Sequence, residues 1–163
     1  MRTALEGIYR QHRQGLYSLA LSITRSPALA EDAVQEAFAR LLRRGSLGKT
    51  PTGDPVAYVF ASVRNAALDA AGKNARQKAQ PVSLYNGRHH DPAGELIDDE
   101  AARRLRDAVD GLPDAQRQAV VMKVYAGLTF DQIAEASGEP LSTVSSRYQR
   151  ALVRLRQTIG DGL

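Results

Sequence analysis

The chain has 163 residues, 43% of them hydrophobic and 25% charged, a length that accommodates one medium-sized domain or two small ones. It contains no cysteine, which excludes a disulfide framework and a cysteine-ligated zinc site. No apolar run approaches the roughly 18 residues that a membrane-spanning helix needs, and residues 1–6 lack the apolar core of a secretory signal. We therefore expect a cytoplasmic protein without membrane insertion.

The net charge of +4 is distributed unevenly along the chain. Residues 1–78 carry 12 Lys/Arg and 6 Asp/Glu, residues 79–100 carry 1 and 5, and residues 101–163 carry 9 and 7. Two basic segments thus flank an acidic connector. This pattern indicates contact with a polyanion at both ends of the chain.

Apolar residues recur at helical spacing through residues 1–78 and predict three amphipathic helices. The dipeptides Ser26-Pro27 and Asp54-Pro55 each place an N-capping residue before a proline, which is tolerated at the first helical position. They therefore predict the starts of the second and third helices. We expect Gly45 to end the second helix by adopting the left-handed conformation.

Residues 80–92 contain two prolines, a glycine and several polar residues, which interrupt any helical period and indicate a linker. Further helices are predicted from near Asp98 and from Pro113 to about Ala126. The sequence thus predicts an all-α fold of two small helical domains, a helical bundle at 1–78 and a second domain at 98–163. A flexible linker, residues 79–97, is expected to join them.

The segment 129–148 has the pattern of a helix-turn-helix. Thr129 and Gln132 can form a capping box that starts a short helix, and Gly138 suits the left-handed residue of a tight turn. Either Ser142 or Thr143 can cap the second helix. This motif predicts DNA binding, although it also fits many repressors and activators, or an ordinary helical hairpin with a solvated face.

Polar and basic side chains share the face of the second helix that lies opposite its apolar stripe. Short polar groups near a helix N-terminus can approach base edges in the major groove, and arginines can reach phosphates or guanine edges. The predicted DNA-binding residues of this helix are Ser142, Thr143, Ser146, Arg147, Gln149, Arg150 and Arg154.

Three blocks of the sequence, read together, resemble the extracytoplasmic-function (ECF) sigma factors of the sigma-70 family. AEDAVQEAF at 30–38 looks like the polymerase-binding segment of region 2, and PVAYVFASVRNAALD at 55–69 is similar to its promoter-melting and minus-ten-reading helix. Residues 112–156 resemble region 4, which reads the minus-thirty-five element. The resemblance implies a sigma factor that binds core RNA polymerase and directs promoter-specific initiation, under control of an anti-sigma protein that clamps the two domains shut. We expect a monomer when the protein is free.

An acidic face is predicted on the second helix, away from its apolar stripe. It consists of Glu31, Asp32, Gln35 and Glu36. Acids would repel DNA, so a basic protein partner is the favoured interpretation, and the resemblance implies that this partner is the clamp helices of the polymerase. The alternative is a solvated face with acids placed favourably near the helix N-terminus.

The third helix is predicted to present an aromatic, hydrogen-bonding and basic face opposite the core. Its members are Tyr58, Ser62, Asn65, Lys73 and Arg76. Such a face can capture an unstacked base, and the resemblance implies that the preceding loop wraps a flipped base. The alternative is that Tyr58 merely packs at the edge of the helix.

Two positions depart from the family pattern, namely Ser145, where a lysine is common, and Glu139, where the turn usually has an apolar residue. These departures leave open a sigma-like adaptor with degraded DNA reading. A DNA-binding regulator that acts without polymerase is the other alternative.

A metal site built from His89-His90-Asp91 with residues 98–100 is disfavoured, because an interrupted linker cannot fix ligand geometry. We expect no enzymatic activity, metal or cofactor.

Overall fold

The computed structural model describes residues 2–46, 53–77 and 100–160, which are almost entirely helical. The helices are α1 (Arg2–Thr24), α2 (Pro27–Ser46), α3 (Pro55–Gln77), α4 (Glu100–Asp110), α5 (Asp114–Val120), α6 (Phe130–Ser137) and α7 (Leu141–Ile159), with a π-helical segment (Val121–Tyr125) between α5 and α6. The predicted all-α fold is confirmed. Among these helices, none is both long and apolar enough to cross a membrane. The predicted linker, including the His89-His90-Asp91 cluster, lies outside the described residues.

The two predicted proline starts are confirmed. The hydroxyl oxygen of Ser26 accepts a hydrogen bond from the Leu29 backbone N–H (3.3 Å) at the start of α2. At the start of α3 the Asp54 carboxylate accepts hydrogen bonds from the backbone N–H groups of Val56 and Ala57 (2.8 and 3.1 Å). The expected end of α2 is corrected, because Gly45 lies within the last turn and the helix continues to Ser46.

Helices α1, α2 and α3 pack against one another and form the N-terminal half of the molecule. Their mutual contacts bury the apolar stripes that the sequence predicts. The most deeply buried large side chains of this half are Leu16, Leu19, Leu41, Val59, Phe60 and Val63. Tyr9 of α1 lies at the edge of this core, where it is 44% exposed and packs edge-on against Phe38 at a centroid distance of 5.2 Å.

The single helix predicted from Pro113 to Ala126 is wrong, since α5 ends at Val120 and the chain widens into the π-helical segment. Its defining hydrogen bond runs from the Ala126 N–H to the Val121 carbonyl (2.9 Å). The wider turn buries Val121 and leaves Val124 exposed. It also brings Ala126 against Gly15 of α1, where an added Cβ would lie 2.8 Å from the Ala126 Cα.

The C-terminal half (α4 to α7 with the π-helical segment) packs on the N-terminal half, and one continuous hydrophobic core spans both. Helix α6 lies against α3, and the π-helical segment lies against α1. The sequence left open whether the two domains are apart or together. In this structure they are together, which hides the thin core of each half from water.

Arg117 of α5 is buried, with 2% of its side chain exposed, where the two halves meet. Its guanidinium donates hydrogen bonds to the carbonyls of Ser22 (3.1 Å), Asp110 (3.2 Å) and Leu112 (2.7 Å), and it pairs with the Asp114 carboxylate. Burial lowers the pKa of Arg117, and the nearby positive charge of Arg25 lowers it further. The Ser22 carbonyl belongs to α1, so this buried cation binds the two halves to each other.

Candidate polymerase-binding and DNA-binding surfaces

The predicted acidic face lies on the outside of α2. The side chains of all four predicted residues, Glu31, Asp32, Gln35 and Glu36, are exposed. Glu36 is partly neutralised by Arg40 (2.9 Å) and Arg43 (3.7 Å) on the same helix. Tyr17 of α1 is influenced by this face: burial, and secondarily the negative charge of Glu31, raises the pKa of its hydroxyl to about 12. The face is therefore an accessible, mainly acidic surface on the N-terminal half.

The predicted base-capturing face of α3 is only partly opposite the core. Asn65 and Lys73 are exposed, whereas Tyr58 and Ser62 are half-buried. The Tyr58 ring packs against the edge of the hydrophobic core, and the Ser62 hydroxyl donates to the Tyr58 carbonyl (3.1 Å). Arg76 lies in α3, but its side chain is outside the described part of the structure.

Sequence reasoning missed Arg44 as a neighbour of this face. The Arg44 guanidinium donates a 2.7 Å hydrogen bond to the Tyr58 hydroxyl oxygen. This contact fixes the outer end of the ring and places a cation beside it. The two residues are 14 positions apart and on different helices, so only the angle between α2 and α3 brings them together.

The helix-turn-helix is confirmed, with α6 as its first helix and α7 as its second. The capping box is present, because the Thr129 side chain accepts from the Gln132 N–H (3.1 Å) and the Gln132 side chain accepts from the Thr129 N–H (2.9 Å). Gly138 adopts the left-handed conformation with φ of 66°, which residues with a Cβ disfavour. The turn therefore has the geometry that the sequence predicts.

The predicted cap of α7 is wrong, because this helix begins at Leu141 with Pro140 at the N-cap position and no side-chain cap. Ser142 and Thr143 consequently lie inside the first turn of the helix. The side chain of Leu141 is 47% exposed. The inner face is held instead by Val144, which is buried, and by Tyr148, which packs edge-on against Phe130 at 5.3 Å.

Most of the predicted reading face of α7 is accessible. Its exposed members are Ser142, Ser146, Gln149, Arg150 and Arg154. Thr143 and Arg147 are half-buried. The Arg147 guanidinium donates to the Glu139 carboxylate at 3.3 Å, so the acid that departs from the family pattern pairs with a predicted DNA-binding arginine.

A cavity of about 240 Å³ lies between the halves, with Arg64 of α3 on one side and Arg147 of α7 on the other. The Arg64 guanidinium donates to the Gln118 side chain at 3.0 Å. Burial lowers the pKa of Arg64; the charge of Glu139 opposes this effect and that of Arg147 adds to it. Within the described ranges, no group of three or more acidic or histidine side chains could hold a metal ion.

Comparisons with known proteins place both halves in one family. The sigma-70 region 2 family matches residues 8–77, and the sigma-70 region 4 family matches residues 102–155. The ECF RNA polymerase sigma factor SigK of Mycobacterium ulcerans is 28% identical over 97% of this chain and 87% of its own length. SigK of Mycobacterium tuberculosis is 25% identical over the same shares.

The fold also has a solved counterpart. The sigma factor RpoE of Bartonella quintana, in complex with the anti-sigma factor NepR, matches 99% of this chain and 98% of its own with a TM-score of 0.73 and 19% identity. This likeness concerns the fold. With both family regions in order and relatives along the whole chain, the protein belongs to the sigma-70 family as an ECF sigma factor, which directs promoter-specific transcription by RNA polymerase.

Proposed function

We propose that the two halves divide the work of promoter recognition. The acidic face of α2 binds core RNA polymerase, α3 captures an unstacked base of the minus-ten element, and α7 reads the minus-thirty-five element as duplex DNA. The proposed domains have the predicted boundaries, 1–78 and 98–163, joined by residues 79–97. This division is supported by the end of α3 at Gln77 and the beginning of α4 at Glu100.

The observation that carries the proposal is the coexistence of two exposed surfaces of opposite character on one chain. The reading face of α7 presents Arg150 and Arg154, which suit phosphates and base edges, whereas α2 presents Glu31 and Asp32. Acidic groups weaken binding to DNA but suit a basic protein surface. A regulator that acts without polymerase has no use for this second surface, so we do not favour that alternative.

The proposed role of α3 rests on the half-buried ring of Tyr58 and on its neighbour Arg44. Stacking of a base on an aromatic ring contributes about 1–3 kcal/mol. An arginine beside the ring can add attraction for the phosphate of the captured nucleotide. Because the Arg44 hydrogen bond holds the hydroxyl at 2.7 Å, the ring is fixed before DNA arrives, which reduces the entropy lost on binding.

The remaining proposals concern partners and setting. We propose that the protein is a cytoplasmic monomer when free, that it catalyses no reaction itself, and that an anti-sigma protein can hold its two halves together. The relative from B. quintana was solved with such a protein, NepR. Light scattering of the purified chain should give a mass near 17.7 kDa. A mass twice as large would contradict the monomer.

The test of function is in-vitro transcription from a pool of genomic fragments with bacterial core polymerase and the purified protein. Initiation at discrete start sites that core polymerase alone ignores would support the proposal. Failure to initiate while the protein still co-elutes with core polymerase would indicate an adaptor. Failure to co-elute would indicate the free DNA-binding regulator.

A matched pair of variants tests the polymerase-binding face. Glu36→Ala and Glu6→Ala each remove one exposed acid that pairs with an arginine four residues away on the same helix, and Glu36→Ala also removes the longer pair with Arg43. Such exposed pairs contribute only about 0.3–0.5 kcal/mol to stability, so both variants should fold. Only Glu36→Ala should weaken binding to core polymerase. Equal affinities of the two variants would contradict the assignment.

A further inference from the structure

We propose that Glu135 is an intramolecular latch that holds the helix-turn-helix against the N-terminus of α3 and keeps the free sigma factor closed. The inference rests on the proposed function of the two halves and adds a control to it. In the closed form the acidic face of α2 is open to polymerase. The two DNA-binding elements, in contrast, are fastened to each other.

The latch consists of two hydrogen bonds across the junction of the halves. The backbone N–H of Asp54 donates to the Glu135 carboxylate (3.1 Å), and the Gln132 side-chain amide donates to the Asp54 carboxylate (3.2 Å). The Glu135 carboxylate thus lies at the N-terminus of α3, where the helix dipole favours a negative charge.

The backbone before α3 is shaped for this carboxylate. Gly53 has a φ of 91°, a conformation that residues with a Cβ rarely adopt. A Cβ built on Gly53 would collide with the Glu135 carboxylate. Because position 53 has no side chain, the carboxylate reaches the backbone N–H of Asp54 directly, whereas a Cβ there would require the flexible end of the exposed Glu135 side chain to move.

The closed form cannot read a whole promoter. The positions that give the minus-thirty-five and minus-ten elements their names differ by about 25 base pairs. This separation is about 85 Å along the duplex at 3.4 Å per base pair. Here the first helix of the helix-turn-helix, α6, hydrogen-bonds directly to the start of α3, the element proposed to read the minus-ten element. In addition, the first helix of a helix-turn-helix crosses the DNA backbone, and in this structure α6 packs against α3 instead.

The connection between the halves is long enough to let them separate. Residues 78–99 could reach at most about 80 Å if fully extended. The four residues of the acidic face on α2 are exposed while the latch is made. Polymerase can therefore bind the closed form first, and separation of the halves then makes both DNA-binding elements available. The latch sets this order of events.

Fluorescence energy transfer between two labels measures the opening. Because the chain has no natural cysteine, Arg10→Cys on α1 and Gln157→Cys on α7 introduce a unique labelling pair at exposed positions. Single-molecule transfer in the full chain gives the populations of closed and open forms. The measurement requires neither DNA nor transcription, so its failure is distinguishable from failure of the proposed function.

Three variants define the comparison. Glu135→Ala removes one of the two hydrogen bonds of the latch and leaves that of Gln132 in place, and Asp131→Ala removes another exposed acid from the same helix. Gly15→Ala is a positive control for opening, because its Cβ would lie 2.8 Å from Ala126 on the other half, while alanine itself favours the α1 helix.

We expect Glu135→Ala to raise the ratio of open to closed molecules about three- to tenfold, as loss of one ordinary intramolecular hydrogen bond would, because the bond from Asp54 lies at an exposed position. Asp131→Ala should match the parent chain. Binding of a minus-ten fork DNA in the absence of polymerase should improve by the same factor for Glu135→Ala, should improve also for the opening control Gly15→Ala, and should be unchanged for Asp131→Ala. An open parent chain, or identical populations for the Glu135 and Asp131 variants while Gly15→Ala opens, would overturn the latch. Failure of every chain to initiate transcription, with the latch intact, would instead contradict the proposed function.

Discussion

Replacement of Arg117 by methionine should cost the protein about 2–4 kcal/mol of stability. Methionine fills a similar volume but removes the charged donors that serve three backbone carbonyls, those of Ser22, Asp110 and Leu112. Each buried acceptor left without a partner, here the Ser22 and Leu112 carbonyls, costs about 1–3 kcal/mol, whereas the Asp110 carbonyl keeps a hydrogen bond from Arg25. Part of this loss is offset, because the variant no longer has to keep a cation out of water, and the Asp114 partner is 83% exposed and returns to solvent.

Urea unfolding monitored by circular dichroism measures this effect. Arg104→Met is the matched control, since Arg104 pairs with Glu100 at 3.0 Å on an exposed face of α4, and such a pair contributes about 0.3–0.5 kcal/mol. The midpoint should fall markedly for Arg117→Met and little for Arg104→Met, with unchanged slopes. Free energies of unfolding within about 0.5 kcal/mol of each other would refute the view that the buried cation holds the two halves together.

Further predictions concern the DNA-binding surfaces and acid stability. Tyr58→Ala should weaken fork-DNA binding by about 1–3 kcal/mol, measured by fluorescence anisotropy, whereas Tyr58→Phe keeps the ring and most of the affinity; equal losses would contradict stacking. Arg150→Ala and Arg147→Ala should each weaken binding of upstream duplex, and the salt dependence should decrease by about one unit wherever a phosphate contact is lost; unchanged affinity would count against either residue. For Asp54, the hydrogen bond from Ala57 is the largest cause of its lowered pKa, and the bond from Gln132 lowers it further. Its contribution to stability is thus present above pH about 4 and is lost as the pH falls through the folded pKa. Urea midpoints should fall more steeply between pH 5 and 3 for the parent chain than for Asp54→Asn, and parallel profiles would argue against this origin.

The closed arrangement assigns two tasks to the same polar groups. Asp54 caps α3 and accepts the hydrogen bond of Gln132, while Gln132 completes the capping box of α6. Each residue therefore stabilises its own helix whether the halves are together or apart. Opening breaks the bonds of Glu135 and Gln132 to Asp54 but none of the capping hydrogen bonds, so it does not require either helix to lose its cap.

The sequence by itself determined the features that depend on neighbouring residues. The starts of α2, α3 and α6 follow from Ser26, Asp54 and the pair Thr129 and Gln132, because the hydrogen bonds involved span two or three residues. The turn at Gly138 follows from the local conformation of glycine. Helical periodicity likewise predicted the all-α fold and most buried positions of the first three helices.

Only the tertiary structure decided features that join distant parts of the chain. The π-helical turn, the burial of Arg117 and the pairing of Arg44 with Tyr58 arise where separate helices meet. The hydrogen bond between Asp54 and Glu135 joins residues 81 positions apart. Periodicity shows which side of a helix is apolar, but it does not show which helix will cover that side. The relative placement of the two halves depends on shape and on polar contacts that form only after both have folded.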